Sequence, residues 1–238
     1  NNATPHALFI DLGASASDVW VVNDGYWGIA VTEGQRYNFQ FYLFTEELKN
    51  TVVTAALLDC EEQIVVSKNF QIERDGSWNH YEGAFTVDTT ANDLRFALLL
   101  PHKGKVYIDF VSMFPENTFC GHKNGLREDV AGMLRDLRPD FVRWPGGCIV
   151  EGLTMDNRIK WKETIGDIVK RPGEYNLWGY RSTYGFGYHE FLQFCEDIDA
   201  DGLFVCNAGM SCLFRNGDYW EEENRIDNLI QDALDAVE

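Results

Sequence analysis

The chain has 238 residues, 45% of them hydrophobic and 14% aromatic, with 38 acidic against 20 basic side chains and a net charge of −18. That length allows one large domain or two ordinary ones, and the apolar fraction is enough for a real core. The charge repels phosphate backbones and anionic bilayers, which argues against nucleic-acid and membrane partners, and no apolar run approaches the ~20 residues of a membrane helix.

The chain opens on polar Asn1-Asn2-Ala3-Thr4 with no visible signal peptide, as a mature or trimmed form of a secreted or periplasmic protein would. Six cysteines are present: Cys60, Cys120, Cys148, Cys195, Cys206 and Cys212. They show no CxxC pair, and no His/Cys cluster has zinc-ligand spacing, so mostly buried free thiols and no metal are expected. No motif calls for a cofactor.

Up to about residue 117 the pattern has period two. In "YNFQFYLF" Tyr37, Phe39, Phe41 and Leu43 share one face. In "LRFALLL" it is Leu94, Phe96, Leu98 and Leu100, and in "KVYIDFVSMF" Val106, Ile108 and Phe110. Turn signals at Glu33-Gly34, Asp75-Gly76 and Lys103-Gly104 separate such runs, which predicts an antiparallel sandwich. Trp20, Trp27 and Trp78 are expected in its core. A boundary near Pro115-Glu116-Asn117 divides the chain into domains 1–117 and 118–238.

Beyond it the period becomes 3.6. Leu126, Val130, Met133, Leu134 and Leu137 form one stripe of a helix expected over 121–138. A second helix is expected over 189–199, with Phe191, Leu192, Cys195 and Ile198 inward. A third, over 223–237, carries Ile226, Leu229, Ile230, Ala233, Leu234 and Val237. Short apolar strands at 140–144 and 203–207 lie between them, the signature of a parallel α/β sheet. Residues 118–238 fall short of the ~250 of a closed (β/α)8 barrel, leaving a small open domain or part of a barrel.

The segment 145–188 leaves the carboxyl end of a parallel strand, where α/β sites are built. It holds Glu151, Asn157, Trp161, Tyr175, Trp178, Tyr180 and Tyr184, a mixture of aromatic platforms and polar groups suited to sugars. Arg143 stands at the strand end, and Gly146-Gly147 allow backbone shapes closed to other residues. Arg143 is equally accounted for as a partner of a core carboxylate.

The ordered runs "DFVRWPGGCIVEG", "RIKWKETIGDIVKRPGEYNLWGY" and "GYHEFLQFCEDIDADGLFVCNAG" resemble the α-L-arabinofuranosidases of glycoside hydrolase family 51. More loosely, "EGQRYNFQFYLF", "SWNHYEGAFTV" and "KVYIDFVSMFPENTF" resemble the sugar-binding-type sandwich inserted in one branch of that family, so the likeness covers nearly the whole chain. It implies a jelly-roll, carbohydrate-binding-module-like β-sandwich followed by a partial (β/α)8 TIM barrel. It also implies a retaining hydrolase using two glutamates. The family's acid/base follows an Asn, and no Asn-Glu pair occurs here, so both catalytic glutamates are expected beyond residue 238. By position the likeness makes Arg143 a shaper of the sugar site, Cys148 a liner of the arabinose pocket and Trp178 its wall. Asn207 becomes a ligand or a support, and Glu151 and Glu190 structural. The implied partner is an arabinose-containing plant polysaccharide or oligosaccharide. The expected product is a fragment of the enzyme, inactive by itself and able to self-associate through its incomplete barrel. There the inward faces of Val142, Trp144, Phe204 and Cys206 would meet water. A stand-alone carbohydrate-binding module and a different (β/α)8 glycosidase remain open alternatives.

Overall fold

The computed structural model describes residues 6–14, 17 and 19–237. The described chain divides into two compact units, His6–Ala131 and Gly132 onward. That division lies inside the first helix, later in the chain than the boundary read from the sequence.

The first unit is an antiparallel sandwich. One sheet has the order β1 (Leu8–Ala14), β9 (Lys103–Pro115), β4 (Arg36–Glu46) and β7 (Trp78–Thr86). The other runs β2 (Val19–Asn23), β8 (Ala91–Leu100), β5 (Val52–Leu58) and β6 (Ile64–Gln71), with β3 (Ile29–Val31) also paired to β8. The period-two runs place the core. Phe39, Phe41, Leu43, Leu94, Leu98, Leu100, Val106 and Ile108 are all buried between the sheets. Each such side chain contributes roughly 1.5–3 kcal/mol of burial.

Phe110 departs from its expected face. The β4–β9 register shifts between Gln40 and Tyr42, and Phe110 itself has φ 49°. This bulge turns its ring edge-on to Tyr42, 6.4 Å away, on the outward side. The tryptophans also differ from expectation. Trp20 packs on Ala56, Leu58 and Ala97 beneath the second sheet. Trp27 is 90% exposed in a turn and Trp78 44% exposed on the first sheet's outer face.

Asp75 fastens the β4–β5 connection. Thr45 Oγ1 donates to its Oδ1 at 2.6 Å, and the Leu48 and Lys49 N–H groups donate to Oδ2 at 3.0 and 2.8 Å. Burial raises its carboxyl pKa, but these hydrogen bonds outweigh that and hold it below the usual value.

The second unit follows β/α order. α1 (Glu128–Asp136) is shorter than the 121–138 expected, because Phe119–Gly121 form a separate 3-10 turn before it. Then come β10 (Phe141–Trp144), α2 (Cys148–Glu151), the hairpin β11 (Glu174–Tyr175) and β12 (Arg181–Ser182), α3 (Tyr188–Asp197), β13 (Asp201–Phe204) and α4 (Glu223–Asp235). β10 and β13 are parallel neighbours with Phe141 opposite Asp201 and Trp144 opposite Phe204. β13 thus begins two residues before its expected start.

The core of this unit is aromatic. Trp144 stacks on Phe191 (5.6 Å between centroids) and Phe204 (6.0 Å), and Trp161 packs on Tyr188 (4.7 Å). Val142 shares this side of β10. The sequence-based assignment of Val142, Trp144 and Phe204 to a water-facing side is therefore reversed. Phe141 (57% exposed), Arg143 and Leu203 (45%) form the uncovered face.

The helical stripes are only partly buried. Val130, Met133, Leu134 and Leu137 are all exposed, as are Leu192, Ile230, Leu234 and Val237. α4 instead turns Leu229 inward and ties its last turns to the unit by polar contacts. Trp161 Nε1 donates to Asp232 O, Tyr188 Oη donates to Ala236 O, and Lys162 pairs with Asp232 and Asp235.

Arg171, 6% exposed, holds the long loop to α3. Its guanidinium donates to both Glu190 carboxylate oxygens, at 2.8 and 3.0 Å, and to the carbonyls of Gly166 and Tyr184. Burial pushes the Glu190 carboxyl up, but Arg171 and the Gly187 N–H bring it below its usual value. Both Glu190 carboxylate oxygens are thus engaged within the fold.

Two outcomes follow from these clasps. Asp75→Ala is expected to lower sandwich stability by about 2 kcal/mol at neutral pH, the scale of hydrogen bonds to a charged group. A carboxyl depressed on folding stabilises above its unfolded pKa and stops doing so as pH falls through its folded pKa. The deficit, read from urea midpoints, should therefore shrink under acid. Arg171→Ala should cost about 3 kcal/mol, because it leaves a half-buried carboxylate without its ionic partner and two carbonyls unpaired. Glu190→Gln, which keeps an acceptor, should cost less than half of that in thermal unfolding. Equal losses would show that the ion pair, not the bonds to the carbonyls, accounts for the contribution of Arg171.

Candidate functional site

The carboxyl ends of β10 and β13 lie side by side, so the chain that leaves each strand meets the other. After β10 comes a cis Trp144–Pro145 peptide, then Gly146 at φ 119° and Gly147 as the residue before α2. Gly152 ends α2 at φ 75°, and a Cβ there would stand 2.5 Å from the Asn157 carbonyl. Only glycine suits such a backbone in that contact.

Asn207 joins the two strand ends. Its Nδ2 donates to the Val150 carbonyl of α2 at 3.1 Å and to Met210 O at 2.9 Å. Its Oδ1 accepts from Gly209 N (2.7 Å) and Met210 N (3.2 Å). The amide is fully committed to backbone, two bonds donated and two accepted. Further along, Cys212 N donates to Gly152 O at 3.0 Å. These bonds lay the 207–212 loop along α2.

Around α2 the structure gathers three of the four residues singled out by the sequence. Arg143 projects from the exposed face of β10, its Nη2 4.0 Å from where a Cβ on Gly147 would stand. Cys148 begins α2 half-buried, and Asn207 secures its end. A small cavity lined by Pro145, Val150, Lys160, Phe204, Asn207 and Leu229 lies beside them. Trp178 is 52% exposed on the β11–β12 hairpin with Tyr175 and Tyr180, which are also exposed.

Asn176 shapes the tip of that hairpin. Its Oδ1 accepts from Trp178 N at 2.9 Å and its Nδ2 donates to Ser182 Oγ at 3.1 Å. Asn157 ties the hairpin's base to the end of α2. Its Oδ1 accepts from Leu153 N, and its Nδ2 donates to Glu174 Oε1 and Tyr175 O. Of the residues the sequence suggests as sugar-facing, Tyr184 is buried, whereas Trp161 is half-buried, donates its Nε1–H to the Asp232 carbonyl and lines the small cavity. Burial and the nearby carboxylates of Glu174 and Glu163 raise the Tyr184 hydroxyl well above the ordinary phenol range.

Two results were outside the reach of sequence spacing. Among the described residues Cys60, Cys120 and Cys206 are exposed, and only Cys195 and Cys212 are buried, so the thiols are not mostly buried. Cys212 also meets Cys148 and Glu151, with its sulfur, the Cys148 sulfur and a Glu151 oxygen within 4.8 Å of one another. Burial, the Cys148 thiol and the Glu151 charge all push the Cys212 thiol pKa up. The detectable signal was the i, i+3 spacing of Cys148 and Glu151 after Gly-Gly. Nothing pointed to Cys212.

Residues 133–238 match the family model described as the alpha-L-arabinofuranosidase 1 domain. The chain is 34% identical, over 97% of its length, to an extracellular exo-alpha-L-arabinofuranosidase of Streptomyces chartreusis. It is 34% identical over 95% to alpha-L-arabinofuranosidase 1 of Arabidopsis thaliana. It spans 28% and 33% of those two proteins. A solved arabinose-bound MgGH51 α-L-arabinofuranosidase aligns with all of this chain at TM-score 0.88 and 28% identity, over 39% of its own length. With the sandwich, the parallel β10–β13 pair and the Arg143–Cys148 turn in place, the chain is similar over its whole length to part of the α-L-arabinofuranosidases of glycoside hydrolase family 51.

Proposed function

We propose that this segment serves a retaining α-L-arabinofuranosidase that removes terminal non-reducing α-L-arabinofuranosyl residues from arabinan- or arabinoxylan-type chains. The observation that carries the reading is the turn at the end of β10. Arg143, Gly146-Gly147 and Cys148 are held against the end of β13 by Asn207, at the strand ends where barrel enzymes place their chemistry. In this reading Arg143 and Cys148 line the sugar site, Trp178 walls it, and Asn207 positions α2. The two catalytic carboxylates come from other parts of the longer enzyme. A secreted or periplasmic location suits it, and no helix among the described residues is long and apolar enough to cross a membrane.

In the full-length enzyme, Arg143→Ala is expected to lower kcat/KM on an aryl α-L-arabinofuranoside by about 10–100-fold. That is the scale of one hydrogen bond from a charged group, about 1.5–3 kcal/mol. An unchanged kcat/KM would remove Arg143 from the sugar site. The 238-residue polypeptide alone should show no turnover, and sustained hydrolysis by it would misplace the carboxylates. Its uncovered face at Phe141 and Leu203 should make it self-associate, and a strictly monomeric species in sedimentation would contradict that.

A second reading concerns the sandwich, and a specific feature favours it. Phe9, Tyr107, Phe44 and Trp78 make a continuous row of rings across all four strands of the first sheet, on its outward face. His80 stacks on Tyr42 beside it, and its Nε2 lies 2.9 Å from Gln40 Oε1. Rings flanked by polar groups suit the apolar faces and hydroxyl edges of a glycan chain. On this reading Trp78→Ala abolishes retention on arabinoxylan in affinity electrophoresis. Equal retention of variant and parent would leave the row without a sugar role.

A further inference from the structure

Cys148, Glu151 and Cys212 converge although 61 or more residues of chain separate Cys212 from the other two. Cys148 and Glu151 lie three apart on α2, which puts them on one side of the helix. Cys212 comes from the loop after β13 and is fixed at both ends. Its N–H donates to Gly152 O, and its carbonyl accepts from Arg215 N (2.9 Å) and Asn216 N (3.0 Å). Cys212 is fully buried, and Cys148 and Glu151 are half-buried. The three ligand atoms lie within 4.8 Å of one another.

The geometry points to a binding site for a thiophilic divalent cation, zinc or cadmium, held by Cys148 Sγ, Cys212 Sγ and a Glu151 carboxylate oxygen. Two thiolates and one carboxylate select such an ion over magnesium or calcium, which take oxygen ligands. With metal–sulfur bonds of about 2.3 Å and metal–oxygen bonds of about 2.0–2.2 Å, tetrahedral ligands stand roughly 3.5 Å apart. The three atoms therefore need to close by little more than ~1 Å, which side-chain rotation supplies without moving the anchored backbone. Binding releases the two thiol protons to solvent, forms two metal–sulfur bonds and one metal–oxygen bond, and leaves a fourth position for water. If Cys148 lines the sugar pocket, as proposed above, the ion stands where the sugar must sit and the site is inhibitory. That consequence rests on the pocket reading, whereas metal binding itself does not.

The experiment titrates the reduced 238-residue chain with Cd2+ and follows the ultraviolet thiolate-to-metal charge-transfer band, with Zn2+ as competitor. One tight equivalent is expected, displaced by Zn2+. Cys148→Ser and Cys212→Ala should each weaken it by at least about 100-fold, since losing a ligand costs no less than losing a supporting contact. Glu151→Gln should weaken it by about tenfold or more, and the exposed-thiol variant Cys60→Ser/Cys206→Ser should leave it unchanged. If Cys212→Ala fails to fold by circular dichroism, the half-buried Cys148→Ser and Glu151→Gln still decide. A tight equivalent that survives Cys148→Ser overturns the assignment, as does a Cys148–Cys212 disulfide that forms in preference to the metal complex under mild reduction. Activity of the full-length enzyme with and without Zn2+ then tests the pocket reading separately. Binding without inhibition would leave the metal site standing and remove Cys148 from the sugar pocket.

Discussion

The amide of Asn207 is the fastening on which the candidate site depends. It makes four hydrogen bonds to backbone, two donated and two accepted, which is the full capacity of the group. The parallel β10–β13 pairing only brings two strand ends to within a strand spacing of about 4.8 Å. It does not decide how the chains leaving them lie. Asn207 does, by binding the end of β13 to the carbonyl of Val150 in the middle of α2. With that bond made, Gly152 O falls to Cys212 N, and the positions of Cys148, Glu151 and Cys212 follow.

The sandwich was legible because period two is a local signal with one solution. In β4 and β8 every second side chain meets the facing sheet, and Phe39, Phe41, Leu94 and Leu98 are buried where alternation put them. It failed at Phe110, where a bulge changes the parity, and bulges carry no reliable mark in a single sequence. The helices were legible as elements but not as packing. Periodicity says that one side of α1 is apolar, and it says nothing about what covers that side. Trp161 and Asn157 show the same limit within the loop. A tryptophan and an asparagine suit a sugar site and suit a core or a clasp equally, and only contacts distinguish them. The meeting of Cys148 with Cys212 depends on strand register and on the Asn207 fastening, neither of which spacing encodes.

Two forces act in opposite directions on the uncovered surfaces. A net charge of −18 opposes the approach of like copies. Screening confines that repulsion to about 8 Å at physiological ionic strength. Phe141, Leu203, Met133 and Leu137 act at contact, and each yields roughly 1.5–3 kcal/mol when fully covered. A few such residues outweigh screened surface charge once two faces touch. In the proposed self-association, charge would set how slowly the faces meet rather than whether they hold. The same reasoning explains why Lys162 bridges two aspartates of α4: in so acidic a chain, a lysine between carboxylates relieves repulsion as well as pairing.

An arginine near the end of β10 is explained by its neighbour. Successive side chains of β10 point to opposite faces, so a one-residue slip would exchange Arg143 with Trp144. Trp144 cannot be exchanged. It stacks on Phe191 and Phe204, and Gly202, opposite Val142, leaves the Phe191 ring room, since a Cβ there would stand 3.2 Å from it. The aromatic core thus fixes the strand's parity from one side. The guanidinium is carried to the other side, beside Gly147 and the start of α2, with its charge left in water instead of buried. Moving it into the core would require a partner to offset a desolvation cost of several kcal/mol. Packing on the inner face is therefore what delivers a charged group to the outer one. The precision of the candidate site is inherited from Trp144, which takes no part in it.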